Sequence, residues 1–262
     1  MTINNRKERI MEILRSGGGF ATVEQLSGVL FVSCATVRRD LQELDASRLI
    51  YRTRGGALLL ESITNEDPLV IRENRNEAQK QIIAKAARRH IKDGMTLFFD
   101  SSTTVLTLAR SLEQFNNLRI ITNNLKAAFL LSERKGITVM CTGGLLREGS
   151  KSFFGQSAVE YIRRLNADAA FLSARGFSIT NGASEANEEE YYIKQAYIAN
   201  SQQSFLLCDI SKINKDYLYR TAPLSSYAKV ITESRDINEL CRKAMEEAGK
   251  AYKVHNSSSV GT

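Results

Sequence analysis

The chain has 262 residues, 43% of them hydrophobic and 25% charged, with a formal net charge of +7. That length allows one or two domains with sizeable cores, and the basic balance suits a polyanionic partner without proving one. No apolar run approaches the ~18 to 20 residues of a membrane helix, and the polar opening MTINNRKERI is not a secretory leader, so a soluble cytoplasmic protein is expected.

Residues 22–57 are the most informative stretch. A short helix comes first, with Val23, Leu26, Val29 and Leu30 expected on one face. A tight break comes next at Phe31 and Val32. Ser33 is placed to N-cap a second helix, because its hydroxyl can accept from an unpaired first-turn amide. In that helix Val37, Leu41 and Leu44 repeat at spacings of four and three and share a buried stripe. Ala35, Arg38, Arg39 and Gln42 point away from it, with Thr36 to one side. An apolar back and a cationic, amide-bearing front, one turn after a shorter helix, are the parts of a helix-turn-helix that reads the DNA major groove. Alone, the second helix could equally be an amphipathic surface helix. The residues beyond it favour DNA. Leu49, Ile50 and Tyr51 are strand formers, Gly55 and Gly56 signal a turn, and Ala57 to Leu60 return as a second strand. Such a hairpin is a wing, with Arg52 and Arg54 at its tip to meet phosphates or the minor groove. Residues 1–60 hold nine basic and six acidic side chains, a modest excess of +3, so their position matters more than their number.

This segment resembles the N-terminal domain of DeoR-type bacterial transcriptional regulators. The residues that carry the resemblance are Val32, Ser33, Thr36 to Leu41, Leu44, and the RTRGGA run from Arg52 to Ala57. A first helix from Arg6 to Arg15, with Ile10, Ile13 and Leu14 inward, fits as well. The resemblance implies a double-stranded operator as partner and leaves open which bases are read.

Residues 61–76 are polar, lack periodicity and contain Pro68, so they read as a linker after a winged helix-turn-helix domain at 1–60. From Glu77 strands alternate with helices: MTLFFD, LRIITN, ITVMCTGG, ADAAFLSA, QSFLLCD and AKVITE are the strands. A last helix is expected near Asp236 to Glu247. Apolar strands alternating with helices predict a doubly wound, mostly parallel α/β domain over residues 77–249. Residues 250–262, ending in a polar run, are expected to be a disordered tail. Cys34, Cys141, Cys208 and Cys241 form no CxxC pair, and both histidines lie far from them, so no metal site is expected. Cys141 and Cys208 sit in apolar runs and are expected to be buried thiols in a reducing compartment.

Polar residues cluster where the strands end: Asp100 to Thr104, Thr122 and Asn123, Thr142 to Gly144, Arg175 and Gly176, and Asp209 with Lys212. In open parallel sheets these ends line the ligand crevice. Each residue alone could be a turn or cap; the set argues for a site. Asp100, Ser101, Ser102, Thr103 and Thr104 are its sharpest element, a strand running through four hydroxyls into a helix start whose free amides suit an anion. The glycine spacing of a nucleotide-binding loop is absent, so a small phosphorylated ligand is favoured.

Residues Glu77 to Glu233 resemble the DeoR-type sensor domain, related in fold to ribose 5-phosphate isomerases. The resemblance rests on Asp100, Ser101, Thr103, Thr104, Thr122, Asn123, Gly143, Gly144, Phe154, Gly155, Gly182, Glu190 with Lys194, and Asp209 with Lys212. It implies phosphorylated-sugar binding by these residues. Ser102 departs from the family, which has glycine there, and so narrows the cradle or adds a donor. Arg175 could contact an anion directly or be a surface arginine. The leading expectation is a repressor of carbohydrate-metabolism genes, with no cofactor, controlled by a phosphorylated sugar and working as a dimer or tetramer. The alternative is a sugar-phosphate isomerase-like enzyme with a DNA-binding appendage, in which Glu190, Lys194, Asp209 and Lys212 would supply acid and base. An i,i+4 ion pair explains Glu190 and Lys194 more simply, and the isomerases' acidic and lysine-glycine loops are missing.

Overall fold

The computed structural model describes residues 3–16, 19–47, 49–53, 55–59 and 69–258. The chain divides into two compact units, the first ending at Arg75 and the second starting at Asn76.

In the first unit, α1 (Ile3–Ser16), β1 (Phe20–Thr22), α2 (Val23–Leu30) and α3 (Cys34–Ala46) precede β2 (Ile50–Arg52) and β3 (Gly56–Leu59). Ile10, Leu14, Leu26, Val37, Leu41 and Ile50 form a core from which water is excluded. Thr22 and Gln25 form a reciprocal capping box at the start of α2. Phe31 ends that helix in the left-handed region (φ 55°), its N–H bonded to the Ser27 carbonyl. Val29 departs from expectation and is 53% exposed. At 100° per residue, Val23, Leu26 and Leu30 fall on one stripe and Val29 lies beside it. Met11 is buried in α1 as well as Ile10 and Leu14, while Ile13 only packs against the cluster.

The wing gains a strand that the sequence reading missed. β1 pairs antiparallel with β3, which pairs antiparallel with β2. A Cβ on Gly56 would stand 2.2 Å from the Ala21 carbonyl oxygen, so glycine is required for β1 to approach. The expected linker residues 61–68 lie outside the described residues, and α4 (Leu69–Asn74) forms a turn of helix where an irregular connection was expected, anchored by buried Leu69.

The second unit continues with α5 (Glu77–Ala87), β4 (Thr96–Phe99), α6 (Thr103–Arg110), β5 (Leu118–Thr122), α7 (Leu125–Ser132), β6 (Ile137–Cys141), β7 (Leu145–Arg147), β8 (Ser152–Phe154), α8 (Gln156–Arg163) and β9 (Ala167–Leu172). Then come β10 (Gly176–Ser178), β11 (Gly182–Glu185), α9 (Glu188–Ala199), β12 (Ser201–Leu207), β13 (Tyr219–Ala222), β14 (Lys229–Ile231) and α10 (Arg235–Ser258). Six strands form one parallel sheet in the order β14-β12-β9-β4-β5-β6. Successive residues serve opposite faces. Phe99, Ile120, Phe171 and Phe205 pack with α5, α6 and α7, whereas Phe98, Ile121, Ala170 and Leu206 pack with α8 and α9. Burial on both faces explains the unbroken apolar strands. The unit is thus doubly wound.

Two short features were not anticipated: the β7–β8 hairpin and a small antiparallel sheet, β10-β11-β13. Their strands are three or four residues long, too short for a period to show. Cys208 is buried, but Cys141 is exposed, because β6 is the sheet's edge and pairs only with β5. α10 continues to Ser258, past the expected end near Glu247 and into the segment expected to be disordered. No described helix is long and apolar enough to cross a membrane.

The buried polar link in the first unit is Arg6 with Asp40. The guanidinium grips both carboxylate oxygens, one through Nη2 at 2.8 Å, and ties α1 to α3. Asp40 is 1% exposed, whereas the Arg6 side chain keeps 12% of its exposure and with it some contact with water. Asp40→Ala is expected to lower the urea midpoint of the first unit, measured with a wing-region probe. An unchanged midpoint would show that the pair contributes nothing.

Candidate functional site

Each unit carries its own site. In the first, Ser33 Oγ accepts from the Thr36 amide at 3.2 Å and caps α3. It also lies 2.9 Å from Thr36 Oγ1. Val37, Leu41 and Leu44 are buried beneath the helix, and Asp40 is fixed by Arg6. That leaves Ala35, Arg38, Arg39 and Gln42 exposed together, with Ser33 at the helix start. Arg52 is exposed at the end of β2, where its amide donates to Asp45 Oδ1 at 3.3 Å. Arg54, the other expected wing cation, lies outside the described residues.

In the second unit the sheet order identifies the crevice. β5 and β6 lie on one side of β4, while β9, β12 and β14 lie on the other. The connections leaving β4 and β9 therefore diverge, which is where open α/β sheets bind ligands. Asp100 follows β4 and Ser173 follows β9. Asp100 is fully buried; its Oδ2 accepts from the Ser173 amide at 2.7 Å and its Oδ1 from the Ser102 amide at 2.9 Å. One carboxylate thus holds both loops.

Lys194, on α9, reaches the same point. Its ammonium donates to the Ser173 carbonyl at 2.8 Å, lies 3.4 Å from Asp100 Oδ2 and bonds Glu185 at the end of β11. Burial opposes its charge, but Glu185, Asp100 and Glu190 outweigh it and raise the lysine pKa. A raised lysine pKa means that this stabilisation is complete below the unfolded value, ~10.4, and is lost only as pH rises through the folded one. Lys194 is therefore set into the floor of the crevice, beyond the simple helix-surface ion pair that the sequence suggested. Lys212 donates to Ser173 Oγ at 3.0 Å and to the Ala174 carbonyl at 2.7 Å.

Ser101 and Ser102 divide the work at the start of α6. Ser102 Oγ caps the helix by accepting from the Val105 amide at 3.2 Å, so the residue that departs from the family pattern turns its side chain back on its own helix. Ser101 Oγ donates to Glu190 Oε2 at 3.0 Å. Thr103 and Thr104 occupy the first turn, and the Thr104 hydroxyl is buried without a hydrogen-bond partner.

Other expected residues are engaged elsewhere. Thr122 and Asn123 are fully buried. Thr122 Oγ1 accepts from the Asn124 amide, and Asn123 clamps β8 through the Phe153 carbonyl while accepting from Tyr197. Gly144 packs under the hairpin, where a Cβ would stand 2.4 Å from the Phe154 carbonyl oxygen; Gly143 has open space around it. Asp209 accepts from the Ser211 amide and from Asn76. Burial works to raise its pKa, but Lys212, Ser211 and Asn76 hold it below the ordinary carboxylate value. The Arg175 guanidinium lies over the Tyr217 ring, 5.9 Å from its centroid.

Asp100, Ser101, Glu190, Lys194 and Lys212 therefore converge, and sequence reasoning missed four partners: Ser173 and Glu185, and also Arg147 and Ser152, which lie 3.8 and 3.5 Å from Glu190 Oε1. Serine after a strand and glutamate in GASE carry no local signature; only sheet order brings them in. Arg147 lies within LLREG, next to the glycine pair, and that proximity was the one available hint. Among the described residues no cluster of His, Cys, Asp or Glu could hold a metal ion.

The DeoR-like helix-turn-helix domain model matches residues 6–63, and the DeoR C-terminal sensor domain model matches residues 75–234. An uncharacterized HTH-type transcriptional regulator of Bacillus subtilis, YulB, is 33% identical over 94% of this chain and 95% of its own length. The glycerol-3-phosphate regulon repressor of Escherichia coli is 31% identical over 89% of this chain and 92% of its own. Among solved structures, ribose 5-phosphate isomerase from Methanocaldococcus jannaschii has a TM-score of 0.40 at 19% identity, covering 53% of this chain and 55% of that one.

The geometry sets two expected outcomes. Lys194→Met should destabilise the second unit by ~3 to 5 kcal/mol, because Asp100 and Glu185 lose their buried counter-charge. Urea unfolding measures it, and a loss below ~1 kcal/mol would mean that water reaches the carboxylates. Arg39→Ala should weaken binding to a DNA sequence selected from a random pool by ~1 to 3 kcal/mol if the side chain reads a base edge. Titrations on selected and scrambled DNA decide it; equal losses on both would make Arg39 a phosphate contact.

Proposed function

The chain belongs to the DeoR family of HTH-type transcriptional regulators, and on that premise we propose that its second unit senses a phosphorylated sugar or related metabolite whose binding changes operator affinity. The supporting observation is the convergence of hydroxyls and cations where β4 and β9 diverge. Ser101, Thr103 and Thr104 stand at the start of α6, with Lys194 and Lys212 behind them. An anionic group meets the helix start, and Asp100, Lys212 and their neighbours take the sugar hydroxyls.

In the first unit Ser33, Ala35, Thr36, Arg38, Arg39 and Gln42 face the major groove, and Arg52 and Arg54 meet the backbone. The regulator is cytoplasmic, represses carbohydrate-metabolism genes, and works at least as a dimer, since paired half-sites call for two reading helices. Ligand favours release, the direction a catabolic repressor needs. The Escherichia coli relative is named a repressor, which supports the repressing role.

Family and relatives are regulators and not enzymes. The chemistry agrees: Lys194 is held protonated by its carboxylates and so is unavailable as a general base.

Thermal-shift titration of the full chain against sugar phosphates and the matching free sugars tests the sensor. Phosphates should raise the melting temperature and free sugars should not. Thr104→Val, which removes a buried hydroxyl at nearly constant volume, should weaken phosphate binding about tenfold, one hydrogen bond to a charged group. A free sugar that binds as well as its phosphate would refute the assignment.

A further inference from the structure

Glu190 is 8% exposed, and its neighbours resemble an anion's neighbours more than a glutamate's. Oε2 accepts from Ser101 Oγ at 3.0 Å, in the loop leading to α6. Oε1 lies 3.5 Å from Ser152 Oγ on β8 and 3.8 Å from Arg147 Nη1 on β7. The carboxylate is thus surrounded by two hydroxyls and a guanidinium from three separate elements.

Two donors of this unit are underused. Arg147 Nη1 is buried without a hydrogen-bond partner, although its Nη2 is bound to Glu189 and the guanidinium plane lies 4.7 Å from the Phe154 ring centroid. The Thr104 hydroxyl, one turn into α6, is also buried and unpartnered. Buried donors without acceptors are costly and uncommon, and one beside this carboxylate, with another in the first turn of the helix that Ser101 leads into, indicates a missing set of acceptors. A carboxylate offers two oxygens in one plane. A phosphate monoester offers three arranged around phosphorus, and carries up to two charges.

We propose that Arg147 is a binding residue for the effector's phosphate and that the Glu190 carboxylate holds that phosphate's place in the ligand-free protein. This inference rests on the sensing function proposed above. Binding then exchanges one anion for another: the phosphate takes Arg147 Nη1, Ser101 and Thr104, and Glu190 swings out of the pocket. Charge repulsion forbids both anions at once. The exchange also gives the ligand a lever, because Glu190 shares α9 with Lys194, the lysine that braces the floor of the fork.

The probe is inorganic phosphate on the full chain, read by phosphorus NMR and melting curves, with Arg147→Gln, Arg147→Lys and Glu190→Gln compared with wild type. Circular dichroism confirms that each is folded. Arg147→Gln should weaken phosphate binding about tenfold or more, and Arg147→Lys should restore part of it, a point charge without the fork. Glu190→Gln keeps the shape, removes the competing charge, and should bind phosphate severalfold more tightly. Weaker binding by Glu190→Gln would make Glu190 a ligand contact and overturn the place-holder. Unchanged binding by Arg147→Gln would overturn its role, and failure of phosphate to bind wild type and Glu190→Gln alike would overturn both. A panel of sugar phosphates separates the two levels: if none binds or alters DNA affinity, while phosphate still behaves as stated, the sensing function fails and the exchange stands.

Discussion

A carboxylate without water must be compensated by the protein, and Asp100 imposes that requirement at the fork of the parallel sheet. Each of its oxygens takes an amide from a different loop, Ser102 on one side and Ser173 on the other. An isolated buried charge is worth several kcal/mol of destabilisation, so a cation must reach it. Lys194 does so from α9, and Glu185 joins because one lysine between two acids is better bound than beside one. The position of α9, the end of β11 and the start of α6 are all consequences of that single charge. The groups that remain at the mouth of the fork, Ser101 and Thr104 among them, are held still by a network in which they take little part.

Much of this architecture was legible in the amino-acid order. Alternation such as Leu97, Phe98, Phe99 announces a strand covered on both faces, and the polar residues that close each strand mark the ligand edge. Ser33, Val37, Leu41 and Leu44 fix a capped, one-sided helix by local rules alone. The failures have a common cause. Glu185 and Ser173 matter because of strand order, which no local window contains. Thr122 and Asn123 sit at a strand end as expected, yet the β7–β8 hairpin takes up Asn123 and the Asn124 amide takes up the Thr122 hydroxyl. Cys141 resembles a core residue until β6 proves to be an edge. Burial depends on neighbours, and the sequence names neighbours only along the chain.

The two units handle charge in opposite ways. The first leaves Arg38, Arg39 and Arg52 in water and, among its described residues, buries Asp40 as its one charged group below a tenth exposure, matched by Arg6. Its attraction for a polyanion is long-ranged and falls with salt. The second unit buries Asp100, Glu185, Glu190 and Lys194 together, where salt hardly reaches. Any discrimination proposed there rests on geometry at a few ångströms. A regulator needs both: a screened, tunable grip on DNA and an unscreened discrimination between metabolites. Coupling between them requires only that ligand binding favour one arrangement of the chain over another.

Gly182 shows how narrowly the fork is specified. It begins β11 with φ +76°, and a Cβ there would stand 2.1 Å from the Ala222 carbonyl oxygen. Three residues later the same strand delivers Glu185 to Lys194. Neutral drift can therefore wander over the exposed faces of this chain but not through this position, since every other side chain collides with backbone. On the sensing function proposed above, a lineage that changed its effector would do so around Gly182, by altering the residues at the mouth of the fork while inheriting its floor unchanged.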